Sequence, residues 1–142
     1  MKIWRIPAEP AQIEARFAGS LPAHFGIRIL EVGEDFLRAE MPVDDRHVQP
    51  FGILHGGASV VLAETLGSIA STLTLPEGKR AVGLEVNANH IAPVPKGDVV
   101  TAICRPLHVG RTTQVWQTEI RRADGRLACV SRLTTAVVDR RD

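Results

Sequence analysis

The sequence predicts an α+β fold: an antiparallel sheet of about six strands curled round one long helix. Three observations predict it. A proline-free run rich in Ala and Leu extends from Gly57 to Leu75, which reads as a helix of about 19 residues, ~28 Å long. Two strand-like segments precede it and four follow, with short turns that imply antiparallel pairing. The helix is also apolar on nearly every face. Leu62, Leu66, Ile69 and Leu73 form one stripe, and Val60, Val61, Ala63 and Ala70 fill others. Such a helix is enclosed by its fold, and a flat sheet cannot enclose it.

The elements follow in order. A short amphipathic helix is expected over 10–18, with Ile13 and Phe17 four apart. "IRILEVGEDFLRAEMPV" reads as a hairpin. Leu37, Ala39, Met41 and Val43 alternate with Arg38 and Glu40, and Gly33-Glu34-Asp35 turns the chain. Residues 44–55 are irregular, carrying Asp44-Asp45, Pro50 and Gly52. Pro76-Glu77-Gly78 ends the central helix. In the next strand Leu84, Val86 and Ala88 alternate with Glu85, Asn87 and Asn89. Strands over about 98–108 and 112–121 follow. "RADGRL" turns into the last strand, "LACVSRLTTAVV". The order is hot-dog-like. A single curled sheet leaves an edge strand and one face open, so self-association is expected.

With 142 residues, one domain spanning 1–142 is expected. Apolar residues make up 44% and charged residues 23%, with a net charge of +1. No bulk field favours nucleic acid or an anionic membrane surface. The tail Arg140-Arg141-Asp142 reads as a frayed, solvated end. The start, "MKIWRIPAEPAQ", has no apolar stretch of signal length, and no run is long enough to span a membrane. Cys104 and Cys129 lie far apart in apolar strands and read as buried free thiols. A cytoplasmic location is expected. His24, His47, His55, His90 and His108 show no compact ligand spacing, so no metal is expected.

Chemistry concentrates in "QPFGILHGGASVVLAETLGS", residues 49–68. A carboxylate in a buried helix is costly unless paired or neutral. Read alone, Glu64 is either a structural carboxylate at a subunit interface or a general base or nucleophile tuned by partial burial. Glu64 and Ser68 share a face, and Thr65, Ser71 and Thr72 extend a polar seam there. His55-Gly56-Gly57 opens the helix. Its glycines permit close backbone approach, and its first N–H groups are free to polarise a carbonyl. A tight loop-to-helix junction explains the same glycines. Gln49 and His55 are either loop-structuring groups or donors. Together the set matches the needs of acyl-group hydrolysis. There is no Gly-x-Ser-x-Gly nucleophile elbow and no P-loop. His90, before Pro93 and Pro95, is a candidate ligand contact or a structural strand-end histidine. Arg111, after Gly110, is a surface arginine or a phosphate partner.

The 49–68 stretch resembles the signature of hot-dog-fold acyl-CoA thioesterases. It is most like the 4-hydroxybenzoyl-CoA thioesterase branch with a catalytic Glu on the central helix. That PaaI-like branch includes the 1,4-dihydroxy-2-naphthoyl-CoA thioesterases of menaquinone synthesis and the proofreading thioesterase of enterobactin synthesis. "MPVD", "VGLEVNANH", "RPLHVG", "VWQTEI" and "GRLACVSRLTTAV" extend the likeness over about 27–138. The resemblance implies that Glu64 is the nucleophile or the base for water. It implies that the Gly56 N–H polarises the thioester carbonyl and that His55 and Gln49 orient the thioester. Ser68 and Ile69 would lie beside the acyl group. Gly83, His90, Ile91, His108, Gly110 and Arg111 would contact coenzyme A. It further implies a dimer whose sites pair Glu64 of one chain with Gln49 and His55 of the other, two dimers making a tetramer. No cofactor is implied beyond the CoA of the substrate.

Two alternatives differ in class. An acyl-thioester dehydratase or hydratase would carry His-Phe-Pro…Met-Pro-Gly or a His…Asp motif, whereas residues 47–51 read His-Val-Gln-Pro-Phe. A non-catalytic acyl-CoA-binding protein is expected to carry a fused DNA-binding segment, for which 142 residues leave no room, and would not need Glu64. Because the aromatic residues number only two Trp and four Phe, an aliphatic-walled acyl slot is expected.

Overall fold

The computed structural model describes residues 1–141; Asp142, of the expected frayed tail, lies outside the described residues. The elements are α1 (Pro10–Glu14), α2 (Leu21–His24), β1 (Arg28–Val32), β2 (Leu37–Pro42), α3 (Gly56–Leu73), β3 (Lys79–His90), β4 (Val99–Val109), β5 (Thr113–Arg121) and β6 (Leu127–Asp139). The six strands form one antiparallel sheet in the order β1-β2-β4-β5-β6-β3. This is the predicted curled sheet round one long helix.

α3 packs on the concave face. Leu62, Leu66 and Ala70 are fully buried against Leu37, Ala39, Met41, Val100, Ala102 and Ile120. Gly67 lets helix and sheet approach closely, because a Cβ there would sit 2.6 Å from Leu133 Cδ2. A buried polar network pins the C-terminal half of α3. Ser71 Oγ donates to Gln114 Oε1 at 2.7 Å and lies 2.9 Å from Thr135 Oγ1. Trp116 Nε1 donates to the same Gln114 oxygen at 3.1 Å. Each buried polar atom gains a partner this way.

Four expectations need correction. The helix predicted over 10–18 stops at Glu14, and Gly19, at φ 76°, reverses the chain before α2. Ile13 and Phe17 are nonetheless buried. α3 is not enclosed all round. Glu64, Thr65 and Ile69 are half-buried, and Ser68 and Thr72 are exposed. Ser71 leaves the predicted polar seam for the buried network, because Gln114 and Thr135 of the sheet close over that face of α3 there. A bulge between Gly83 and Glu85 throws Leu84 out of register, so it is 60% exposed rather than sharing a face with Val86 and Ala88.

The N-terminus, unassigned from sequence, is an anchored arm. Arg5 and Ile6 N–H donate to Leu73 O, at 2.8 and 3.0 Å. Trp4 donates its indole N–H to Gly33 O at 2.6 Å and stacks on Trp116. At the other end, Arg140 N–H donates to Gly78 O. β3 forms a 12-residue edge strand with no neighbour on its outer side among the described residues.

Cys104 and Cys129 are free and buried. Burial pushes the Cys104 thiol up to about 12, against a smaller opposing pull from a hydrogen bond with Thr118. The folded state therefore holds that proton well above the pH at which an unfolded thiol loses it, and its contribution falls as pH rises from ~9. At pH 8 Ellman's reagent is expected to leave both thiols unmodified in the native protein and to titrate both in denaturant. Rapid stoichiometric reaction of the native protein would contradict this burial.

Candidate active site

The loop before α3 builds the first half of the site. His47 is buried within it. Its Nδ1 accepts from Asp44 N–H at 3.1 Å, and its Nε2 donates to Phe25 O at 2.8 Å. Its carbonyl accepts from His55 N–H at 2.8 Å. Arg46 hydrogen-bonds Asp44 and holds that carboxyl well below the usual carboxylate range. These contacts set where Gln49 and His55 emerge.

His55 is the N-cap of α3, its Nδ1 accepting from Gly57 N–H at 2.8 Å. The ring proton therefore sits on Nε2, which is left as an outward donor. An α-helix begins with four N–H groups lacking intrahelical partners. His55 N–H bonds His47 O at 2.8 Å, Gly57 N–H bonds His55 Nδ1, and Ala58 N–H bonds His55 O at 2.9 Å. Gly56 N–H is the one left over, at the positive end of the helix. The His90 ring lies close over Gly56: a Cβ there would sit 2.7 Å from His90 Nε2 and push the ring aside. Gln49 engages Phe51 N–H through its Oε1, leaving its amide NH₂ as a donor.

Gln49, Gly56, His90 and Ile91 line one cavity of about 380 Å³. Of the predicted site residues, these four converge within one chain. Ser59 joins them, though the sequence reading did not single it out. Phe51, 89% exposed beside Gln49, was also passed over. Its signal was an aromatic residue inside a Pro-Gly turn, where solvent gives it no packing reason.

Glu64 does not join them. It is two turns further along α3, ~12 Å from Gly56 along the axis. Its Oε1 lies 3.5 Å from where a Cβ on Gly83 would stand, so Glu64 and Gly83 form a second, separate locus. Ser68 and Ile69 lie one turn beyond, under the N-terminal arm. His108, Gly110 and Arg111 lie elsewhere again. Val109, Gln114, Thr135 and Gly83 are aligned across the sheet, so the β4–β5 hairpin is two to three strand spacings, ~10–14 Å, from Gly83. It is also at the opposite end from His90, seven residues or ~23 Å along β3. The His108 ring folds over Gly110, and a Cβ there would collide with it. Arg111 is exposed at the tip.

Among the described residues no three His, Cys, Asp or Glu side chains gather as metal ligands. No helix is long and apolar enough to cross a membrane. The arrangement offers one carboxylate, one unpaired helix-terminal N–H, and amide and imidazole donors.

Comparison with known proteins bears on this set. Residues 51–129 match the family model of the Thioesterase superfamily. The chain is 48% identical to 1,4-dihydroxy-2-naphthoyl-CoA hydrolase of Escherichia coli K12, over 96% of this chain and 99% of that protein. A solved thioesterase from Haemophilus influenzae superposes with TM-score 0.92 at 49% identity, covering 96% of this chain and 95% of that one. A thioesterase variant from Pseudomonas aeruginosa gives TM-score 0.94 at 46% identity, covering 98% and 100%.

Proposed function

Because this chain belongs to the thioesterase superfamily, we propose that it hydrolyses acyl-CoA thioesters to the free acid and CoA, with Glu64 as the reacting carboxylate. One observation carries the assignment of roles. His47 O, His55 Nδ1 and His55 O occupy three of the four helix-terminal N–H groups and leave Gly56 N–H free, in the cavity that also holds Gln49. That N–H accepts the charge developing on the thioester oxygen. Glu64 either attacks the carbonyl carbon directly or takes a proton from the attacking water, and the CoA sulfur leaves with the bonding pair; after direct attack, water then hydrolyses the Glu64–acyl anhydride to the free acid. Gln49 and the His55 Nε2–H steady the thioester. No metal or organic cofactor enters these steps.

The ~12 Å between Gly56 and Glu64 supports a site shared by two chains, since one chain cannot bring both to one carbonyl. The open β3 edge, with Leu84 60% exposed, supports pairing between β3 strands of two copies. Phe51 would then be covered by the partner. A dimer of dimers lets the β4–β5 hairpin, with His108, Gly110 and Arg111, serve the CoA moiety of a neighbouring site. The buried reduced thiols and the CoA substrate support a cytoplasmic location.

The test is a thiol-release assay over benzoyl-, hydroxybenzoyl-, dihydroxynaphthoyl-, phenylacetyl- and straight-chain acyl-CoAs. Turnover of none of them would overturn the proposal and favour a binding protein. Gln49→Ala is expected to lose kcat strongly with a modest change in KM, as for a group acting mainly in the transition state. Mixing Gln49→Ala with Glu64→Ala is the sharper measurement. After subunit exchange, half the dimers are mixed, and each has one intact site. About a quarter of wild-type activity should return. No recovery in verified mixed dimers would place both residues in one chain's site.

A further inference from the structure

Residues 47–55 form a closed loop that carries Gln49 near its tip and His55 at its foot. Gln49 N–H donates to Ile53 O at 2.9 Å, Val48 bridges Leu54, and His55 N–H donates to His47 O at 2.8 Å. Only two of its residues are buried, His47 and Leu54. Leu54 fastens one side. Its N–H donates to Val94 O at 2.8 Å, Ile53 bridges Pro95, and Lys96 N–H donates to Gly52 O at 3.2 Å. His47 fastens the other.

None of the His47 side chain is exposed. The last turn of a helix leaves carbonyls without intrahelical partners. Two such carbonyls at the end of α2, His24 O and Phe25 O, are taken up by residues just before the loop tip. Arg46 Nη1 donates to the first at 2.6 Å, and His47 Nε2 donates to the second at 2.8 Å. The Phe25 ring also meets the imidazole edge-on, with centroids 5.1 Å apart. On the far side of the ring, Nδ1 lies 3.1 Å from both Asp44 N and Asp44 Oδ1. Arg46 holds that carboxylate in turn. His47 N–H donates to Asp44 O at 3.0 Å and closes the turn. Arg46 is exposed, so its bonds compete with water. The enclosed His47 bond does not.

We propose that His47 is a positioning residue for the reaction. Through its Nε2 bond to Phe25 O it holds the 47–55 loop in register with the start of α3. Gln49 and the His55 ring then face the carbonyl that Gly56 N–H polarises. The inference rests on the roles given to Gln49 and His55 above. His47 itself is enclosed and meets no substrate. It gives α2 a use as the bracket to which the loop is tied.

The test separates the two ring nitrogens. A Gln amide at position 47 reaches the place of Nε2 and keeps a donor for Phe25 O, whereas an Asn amide reaches only the place of Nδ1. His47→Asn and His47→Leu are expected to lower kcat by ~10- to 100-fold with little change in KM, since misplacing a positioned group by about 1 Å costs up to ~10²-fold. His47→Gln is expected to recover most of that loss. Wild-type kcat in His47→Leu, or equal losses in the Gln and Asn variants, would overturn the proposal. If His47→Leu does not fold, the contrast between Gln and Asn decides. The ¹⁵N shifts of the His55 ring, read on histidine-labelled protein, need no turnover. Wild type and His47→Gln should show one tautomer with the proton on Nε2, held by the Gly57 N–H bond, and His47→Asn a mixture. The same single tautomer in all variants would show that His47 does not set the loop. Absence of wild-type turnover on every thioester would sink the catalytic reading, and the tautomer contrast would still decide whether His47 holds His55 in place.

Discussion

Glu64→Ala is expected to lower kcat at least ~10²-fold on any acyl-CoA that the wild type hydrolyses, with little change in thermal stability. Loss of a nucleophile or general base typically costs this much or more. A hundredfold loss corresponds to ~2.7 kcal/mol of transition-state stabilisation. Stability should hold because Glu64 is half-buried at an open helix face, and no hydrogen bond or ion pair of its own among the described residues would be broken. Retention of wild-type kcat would remove Glu64 from the mechanism. In a site shared by two chains, the Gly56 N–H contributed by the other chain would keep polarising the carbonyl in this variant, so residual activity above the uncatalysed rate is expected. A single turnover in ¹⁸O-labelled water separates the two roles left to the carboxylate. Label entering Glu64 requires an acyl-enzyme anhydride opened at the Glu64 carbonyl, whereas direct attack by water on the thioester puts label in the product acid and never in Glu64.

Trp116→Ala is expected to produce the largest loss of stability. Trp116 is fully buried in β5 and stacks on Trp4 with ring centroids 6.1 Å apart. Its indole N–H also holds Gln114 Oε1, the centre of the network that fixes α3 to the sheet. Truncation of a buried Trp costs about 3–5 kcal/mol in general. The midpoint of thermal unfolding should fall by roughly 10 °C or more for a chain of this size. The N-terminal arm should loosen as well, seen as faster amide exchange at Arg5 and Ile6, whose N–H groups bond Leu73 O. A shift of only a degree or two, with the arm still protected, would mean that the stacked pair contributes little.

How much was legible from sequence differs by element. The six strands, the β1–β2 hairpin included, were legible because alternation and turn residues are local signals. So was α3, misjudged by only a residue or two at its ends. The arm was not legible. Trp4 is buried because Trp116 and Gly33 meet it, and both are distant in sequence. Ser71 misled for the same reason. Helical spacing put it on the face of Glu64, as it is, but about two turns further along that face Gln114 and Thr135 of the sheet close over it and bury it. The Leu84 parity failed because a bulge is one extra residue with no marker in the pattern.

The sequence by itself determined the curled sheet round α3, the thioesterase resemblance, and the residue types at the helix start and at position 64. These follow from short-range spacing, which the backbone geometry of helices and strands converts directly into faces and ends. Only the tertiary structure decided what those residues can reach. It brings Gln49, Gly56, His90 and Ile91 to one cavity, leaves Glu64 beside Gly83, and sends the β4–β5 hairpin elsewhere. The reason is that a rigid helix separates positions 56 and 64 by two turns, and no side chain spans that gap.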